Sequence, residues 1–303
     1  MYNTNVSIVD YNMNNIKPVY EFLLWDNCHN NCDFCFQKAS NNLSTLTDKQ
    51  RAIQLTIDFI KSDQYEPQSH VLLMGGELFD DRHVFNDLCR LFDYIVDQMS
   101  TGHIDLLYLN TNLLYKDKTC LYYLLDKATN IGLGSRLRFT TSYDKQGRFK
   151  TLKAEQLMLS NLADIRQRYD GMSIVVNMML SKQLCTEILH DQFNVKQFGE
   201  CHGAYVNLIP YIVLDERISA KKSAIFATLK KVNDSDGDYL SKYTNNLSLR
   251  QEKRLYRYNV NTKTIDFCTC DTLPCGHAEN FKRYSFTGTC FLCDLIEFVQ
   301  GFE

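Results

Sequence analysis

The stretch Trp25-Asp26-Asn27-Cys28-His29-Asn30-Asn31-Cys32-Asp33-Phe34-Cys35-Phe36 governs how the rest of the chain reads. Cys28, Cys32 and Cys35, spaced by three residues and then by two, can turn toward one point when a loop curls around an ion. Metal binding is therefore the first expectation. Three thiolates are one short of the four that usually hold an iron–sulfur cubane or a structural zinc. Either a distant residue completes the site or one metal position stays open for a ligand.

Upstream of this loop, residues 19–25 are β-like and feed directly into it. Downstream, Thr47 and Gln50 resemble a capping box, and Ile53, Ile57 and Ile60 follow at helical spacing, predicting strand, loop, helix. Residues 70–74 read as a second strand closed by Gly75-Gly76-Glu77, with a helix marked by Val84, Leu88, Leu91 and Ile95. A third strand at 104–109 ends in Asn110-Thr111-Asn112 and precedes a helix carrying Leu121, Leu124, Leu125 and Ala128. Strands at 137–142, 173–180 and 204–214 follow, each trailed by a helical pattern, the last two at 183–191 and 220–232.

Six β–α units with strands apolar almost throughout predict an α/β fold around a parallel sheet covered on both faces. A closed eight-stranded barrel would need two more units, so the expectation is a partial (β/α)6 TIM-like barrel. The composition changes after Val232, and residues 233–238 form a turn-rich linker. The chain accordingly divides into a core at 18–232 and a small cysteine-rich, metal-binding C-terminal extension at 239–303.

The hydrophobic fraction of 45% and charged fraction of 23% over 303 residues are those of a globular protein and argue against disorder. A net charge of −3 supplies no basic field for nucleic acid. Residues 1–17 are polar and Asn-rich, and no segment approaches a membrane span, so a cytoplasmic protein without membrane attachment is expected. Of the twelve cysteines, eight lie in two clusters, which metal binding explains better than a disulfide scaffold in so large a chain. Cys89, Cys120 and Cys185 sit in apolar helical patterns and read as small core hydrophobes.

Ligands of such α/β folds gather at the carboxyl ends of the strands. The three-cysteine loop, Gly-Gly-Glu, Asn-Thr-Asn and Ser142-Tyr143-Asp144 follow strands one to four in turn, which places all four on one rim. A Cys-x3-Cys-x2-Cys loop after the first strand, with an aromatic residue just before the third cysteine and Gly-Gly-Glu after the second strand, resembles the radical S-adenosylmethionine (radical SAM) superfamily over residues 19–232.

That resemblance implies a [4Fe-4S] cluster held by Cys28, Cys32 and Cys35, with S-adenosyl-L-methionine on the fourth iron. Reductive cleavage of that cofactor would give a 5′-deoxyadenosyl radical, which abstracts hydrogen from a substrate, with flavodoxin or ferredoxin as electron donor. Phe34 matches the family's aromatic position near the adenine. Gly75, Gly76 and Glu77 match the segment that receives the methionine amino group. Thr111 and Asn112 resemble a Thr-Asn-Gly in which Leu113 replaces the glycine, pointing to the adenosine site. Ser142 and Asp144 resemble the Ser-x-Asp that holds the methionine carboxylate or ribose, with Lys145 where glycine often follows. Arg148 is either a cation for that carboxylate or part of a solvated turn. Asn177, which interrupts strand five, would serve a ribose hydroxyl or a core hydrogen bond. His29 reads as a loop spacer, while Cys201 and His202, ahead of strand six, carry no assigned role.

The second cluster is Cys268-x-Cys270-x4-Cys275-Gly-His277 followed by Cys290-x2-Cys293, with a strand expected at 281–286 between the halves. Two cysteine knuckles around a hairpin resemble a zinc ribbon, with Cys270, Cys275, Cys290 and Cys293 as the simplest tetrahedral set and Cys268 or His277 as substitutes. An auxiliary iron–sulfur cluster is the rival, because thiols alone do not separate the two metals. Three substrate classes stay open: a peptide or protein, an RNA nucleotide, and a small metabolite. The loop and tail resemble peptide-modifying members, which favours the first. The competing class is a non-catalytic, zinc-stabilised binding protein, against which the retained strand-end motifs weigh.

Overall fold

Six parallel strands joined in sequence by crossover helices build the sheet that carries the rim. The computed structural model describes residues 19–25, 27–30, 32–33, 44–169, 171–210, 218, 220–235, 255–259 and 264–268. In chain order the strands are β1 (Val19–Leu23), β2 (Ser69–Met74), β3 (Ile104–Asn110), β4 (Leu137–Tyr143), β5 (Ser173–Leu180), β6 (Tyr205–Pro210), β7 (Leu255–Asn259) and β8 (Thr264–Cys268). Their spatial order is β6-β5-β4-β3-β2-β1-β7-β8, with every neighbouring pair parallel except β7 and β8. The fold is the expected α/β partial barrel. β7 and β8 come from the segment 239–303 and extend the same sheet past β1, with Leu255 opposite Val19 and Asn259 opposite Leu23.

The helices are α1 (Leu46–Lys61), α2 (Phe85–Ser100), α3 (Thr119–Asn130), α4 (Leu152–Arg168), α5 (Lys182–Leu189), α6 (Val195–His202) and α7 (Lys222–Ser235). The capping box of α1 is set by Thr45 and Asp48, two residues earlier than the expected Thr47 and Gln50. Thr45 Oγ1 accepts from Asp48 N at 3.2 Å and Thr45 N donates to Asp48 Oδ2 at 2.8 Å. Thr47 already lies inside the first turn, so its hydroxyl cannot act as the cap. Such a cap contributes about 1 kcal/mol. Helix α6 was not legible in the sequence, because its apolar positions are few and Gly199 interrupts them. That glycine is required, since a Cβ there would lie 2.9 Å from Ala204 O. Cys201 and His202 stand in the last turn of α6.

Alternation along each strand separates two faces. Phe22, Val71, Leu73, Leu107, Leu109, Leu137, Phe139, Ile174, Val176, Val206 and Leu208 are buried and belong to the hydrophobic core with residues of the helices. The intervening residues, among them Tyr108, Asn110, Arg138, Thr140, Ser142, Asn177 and Asn207, are half-buried on the concave face. Cys89, Cys120 and Cys185 are buried, as expected of core residues. Among the described residues no helix is long and apolar enough to cross a membrane.

Candidate metal and cofactor site

The loop after β1 is joined to the loop after β2 by backbone hydrogen bonds. Leu24 N donates to Met74 O at 2.9 Å, Gly76 N to Trp25 O at 2.7 Å, and Glu77 N to Asn27 O at 2.8 Å. The Trp25 indole N–H closes the seam on Glu77 O at 3.0 Å. Contact this close explains Gly75, because a Cβ there would lie 2.7 Å from Trp25 O. Lys49 braces the seam from α1. It is buried, donates to Asp81 Oδ2 at 2.7 Å, and sits over the Trp25 ring at 5.4 Å. No motif in the sequence singled it out.

Glu77 is buried at 1% exposure, and its carboxylate turns toward the loop after β3. Oε1 accepts from Thr111 Oγ1 at 2.8 Å and Phe79 N at 3.3 Å, while Oε2 accepts from Asn112 N at 2.5 Å. Burial pushes its carboxyl up to about 7, against the pull of these three donors. The expected Gly-Gly-Glu segment thus places its backbone at the rim and uses its side chain to fix Thr111 and Asn112. Leu113, where the resembled motif has glycine, adopts φ +57, the left-handed conformation that glycine favours. It is held there by Thr111 Oγ1, which accepts from Leu113 N at 3.3 Å, and by Asn161 Nδ2, which donates to Leu113 O at 2.9 Å.

Fixing this loop brings Asn112 to the thiols. Asn112 Nδ2 donates to Cys28 Sγ at 3.6 Å, Asn30 N to the same sulfur at 3.4 Å, and Asn30 Nδ2 to Cys32 Sγ at 3.2 Å. Cys32 is buried and Cys28 half-buried; burial pushes the Cys28 thiol up, so a bound cation would be needed to hold it as thiolate. His29 points away, exposed, with Nδ1 on Asp80 Oδ2 at 3.1 Å, consistent with a spacer.

The turn after β4 closes over the thiols. Asp144 is buried and shapes it, with Oδ1 accepting from Gln146 N at 3.1 Å and Oδ2 from Gly147 N at 2.8 Å. Gly147 O then accepts from Asp33 N at 2.8 Å, docking the turn on the cysteine loop, and Lys150 Nζ reaches Asp33 Oδ1 at 3.0 Å. Arg148 is no part of a solvated turn: it is 4% exposed, and Nη2 donates to Asn112 O at 2.8 Å. Burial disfavours its charged form, an effect opposed by the neighbouring Cys32, Glu77, Cys28 and Asp144.

Ser142 of β4, Asn177 of β5 and Asn207 of β6 align in register across the concave face. Asn207 Nδ2 donates to Asn177 Oδ1 at 3.3 Å, so a neighbouring strand supplies the partner that Asn177 requires. Asn207 was missed in the sequence, although it interrupts strand six as Asn177 interrupts strand five.

The residues present fit an anionic thiolate-bound cluster with a polar ligand beside it. Amide N–H groups point at both sulfurs, and the buried Arg148 Nε and Asn27 Oδ1 lack hydrogen-bond partners. Phe34, Cys35, Cys270, Cys275, His277, Cys290 and Cys293, with the strand expected at 281–286, lie outside the described residues. Cys268 is described only as the last backbone position of β8. Among the described residues no group of three potential metal ligands converges.

No protein-family model and no curated protein matches the chain. Solved structures do match. The chain is similar to native anSMEcpe, a radical SAM anaerobic sulfatase-maturating enzyme, with AdoMet and the Cp18Cys peptide bound: TM-score 0.54, 14% identity, covering 84% of this chain and 73% of that one. It is also similar to native anSMEcpe with AdoMet alone, at TM-score 0.50 and 14% identity, covering 75% of this chain and 62% of that one. At that identity the likeness establishes the fold.

Proposed function

We propose that this chain, which has the fold of those radical SAM enzymes, is itself one. Its reaction would be reductive cleavage of S-adenosylmethionine and hydrogen abstraction from a substrate. The observation that carries this reading is the arrangement at the rim: Cys28 and Cys32 receive N–H donors from Asn30 and Asn112, beside the buried, incompletely partnered Arg148. Cys28, Cys32 and Cys35 would hold a [4Fe-4S] cluster, which would supply the electron for reductive cleavage of S-adenosylmethionine.

The chain's own residues account for the rest of the site. Asn30 and Asn112 direct N–H groups at the sulfurs and so favour the thiolate form. Arg148, held by Asn112 O, offers its Nε toward a carboxylate such as that of the methionine moiety. Gly75 lets the two loops close at the seam, so that backbone groups of the Gly75-Gly76-Glu77 segment can face an ammonium. Ser142, Asn177 and Asn207 present a polar row for ribose hydroxyls. Asp144 shapes the turn that carries Arg148.

A peptide or protein is the substrate we favour, because the structurally similar enzyme was captured with a peptide. A cytoplasmic setting, which keeps thiols reduced, and a flavodoxin or ferredoxin donor suit this chemistry. Cys270, Cys275, Cys290 and Cys293 would hold a second metal, zinc or an auxiliary cluster. Metal analysis of a Cys28/Cys32/Cys35 triple alanine variant tests that site: retained zinc or iron identifies it, and a metal-free variant refutes it.

The reaction itself is tested on the wild-type chain, reconstituted anaerobically with iron and sulfide, then given S-adenosylmethionine and dithionite. Mass spectrometry should detect 5′-deoxyadenosine. A preparation that holds its cluster yet forms none would overturn the reading.

A further inference from the structure

Below the rim, the concave face carries a cation that the proposed chemistry does not use. Arg138 stands opposite Tyr108 in the β3–β4 register, on the face opposite the buried Leu137 and Phe139. Its guanidinium carbon lies 5.6 Å from the centroid of the Tyr108 ring, and its Nε is shielded from solvent without a hydrogen-bond partner. Tyr108 is steadied from below, its hydroxyl 3.5 Å from His70 Nδ1 while His70 Nε2 lies 3.3 Å from Asp105 Oδ2. Arg136 shows the contrasting case: its guanidinium donates to Asp105 O, Met99 O and Ile104 O, an ordinary structural role.

A guanidinium offers five N–H donors in a planar fork that matches a carboxylate. A shielded donor without an acceptor is destabilising, and a cation–π contact offsets that only in part. One pleat nearer the rim, Asn110 lies opposite Thr140, and its Oδ1 is also shielded and unpartnered. Two residues of strand rise by roughly 7 Å, which is also the reach of two residues of an extended peptide. A second such step leads to the row of Ser142.

We infer that Arg138 on its Tyr108 platform, with Asn110 above it, is a subsite for the carboxylate of a peptide-like substrate. The carboxylate pairs with the guanidinium, while the chain runs past Asn110 up the concave face toward the rim. One guanidinium suits a monoanionic carboxylate better than a phosphate, which calls for several cations. This subsite rests on the reaction proposed above, since it positions the substrate of that reaction.

The test uses the reconstituted chain with S-adenosylmethionine and no reductant. It is incubated with an N-acetylated random tetrapeptide library, prepared as free acids and as C-terminal amides. Peptides retained on ultrafiltration are identified by mass spectrometry. Carboxylate-bearing members should be retained at least tenfold over carboxylate-free ones, and Arg138→Gln should remove that preference while Arg138→Lys keeps part of it. Retention of amides that carry Asp or Glu, lost in Arg138→Gln, would place the carboxylate on a side chain. Equal retention of charged and uncharged members by the wild-type chain overturns the subsite, as does a preference that survives Arg138→Gln. The wild-type comparison decides even if a variant fails to fold. Failure of the underlying reaction is read separately, as absence of 5′-deoxyadenosine.

Discussion

Replacing Cys32 by alanine should abolish both the visible absorbance of the reconstituted chain and its formation of 5′-deoxyadenosine. Loss of one of three thiolates removes the chelate on which cluster assembly depends, so the rate should fall a thousandfold or more, roughly 4 kcal/mol in barrier terms. Cys32 suits this test because it is buried at 7% exposure and its sulfur receives Asn30 Nδ2. Removing one sulfur from a small buried side chain costs little packing, so the loss reads chemistry rather than unfolding. Cys185→Ala is the control. It deletes a buried thiol of α5 that belongs to the hydrophobic core and lies outside the cysteine loop, and should retain absorbance and turnover. Undiminished 5′-deoxyadenosine from Cys32→Ala would remove the thiol loop from the mechanism.

Glu77→Ala should be the most destabilising single change at the rim. It strips the acceptor from Asn112 N, Thr111 Oγ1 and Phe79 N inside a fully enclosed site. Each buried donor left unpaired costs about 1–3 kcal/mol, and relief of the buried carboxylate offsets part of the sum. A net loss on the order of 3–5 kcal/mol follows, a large share of the 5–15 kcal/mol typical of a folded domain. Urea unfolding of the purified variant measures it. Glu77→Gln keeps the volume but turns an amide N–H2 toward at least one donor, so it should lose less. A loss below about 1 kcal/mol in Glu77→Ala would show that the carboxylate does not organise the loop after β3.

The rim also shows how far the chain could be read without coordinates. The thiol spacing, the order of the strand-end motifs and the alternation of β-like with helical patterns placed the sheet and the loops along its rim. These signals are local, carried by a period of two in strands and 3.6 in helices and by loops a few residues long. The cap of α1 was misplaced by two residues because two Thr-x-x-polar patterns overlap there, and only backbone geometry distinguishes Thr45 from Thr47. Helix α6 escaped because too few apolar positions mark its period.

What the tertiary structure alone decided concerns groups distant in sequence that meet through strand register. Glu77 was legible only as part of a rim segment, and the pairing of β2 with β3 turned its carboxylate onto Asn112, 35 residues away. Arg148 could be read as part of a solvated turn until Asp33 N drew that turn onto the cysteine loop. Leu113 was a departure from the resembled motif until its φ of +57 showed the backbone shape kept without the glycine. Arg138 lay unnoticed between Leu137 and Phe139 until β3 set Tyr108 beneath it. The sequence by itself determined which loops reach the rim, because hydrophobic periodicity is written residue by residue. Only the folded sheet decided which side chains face one another there, because a one-residue change of register would turn each of them to the opposite face.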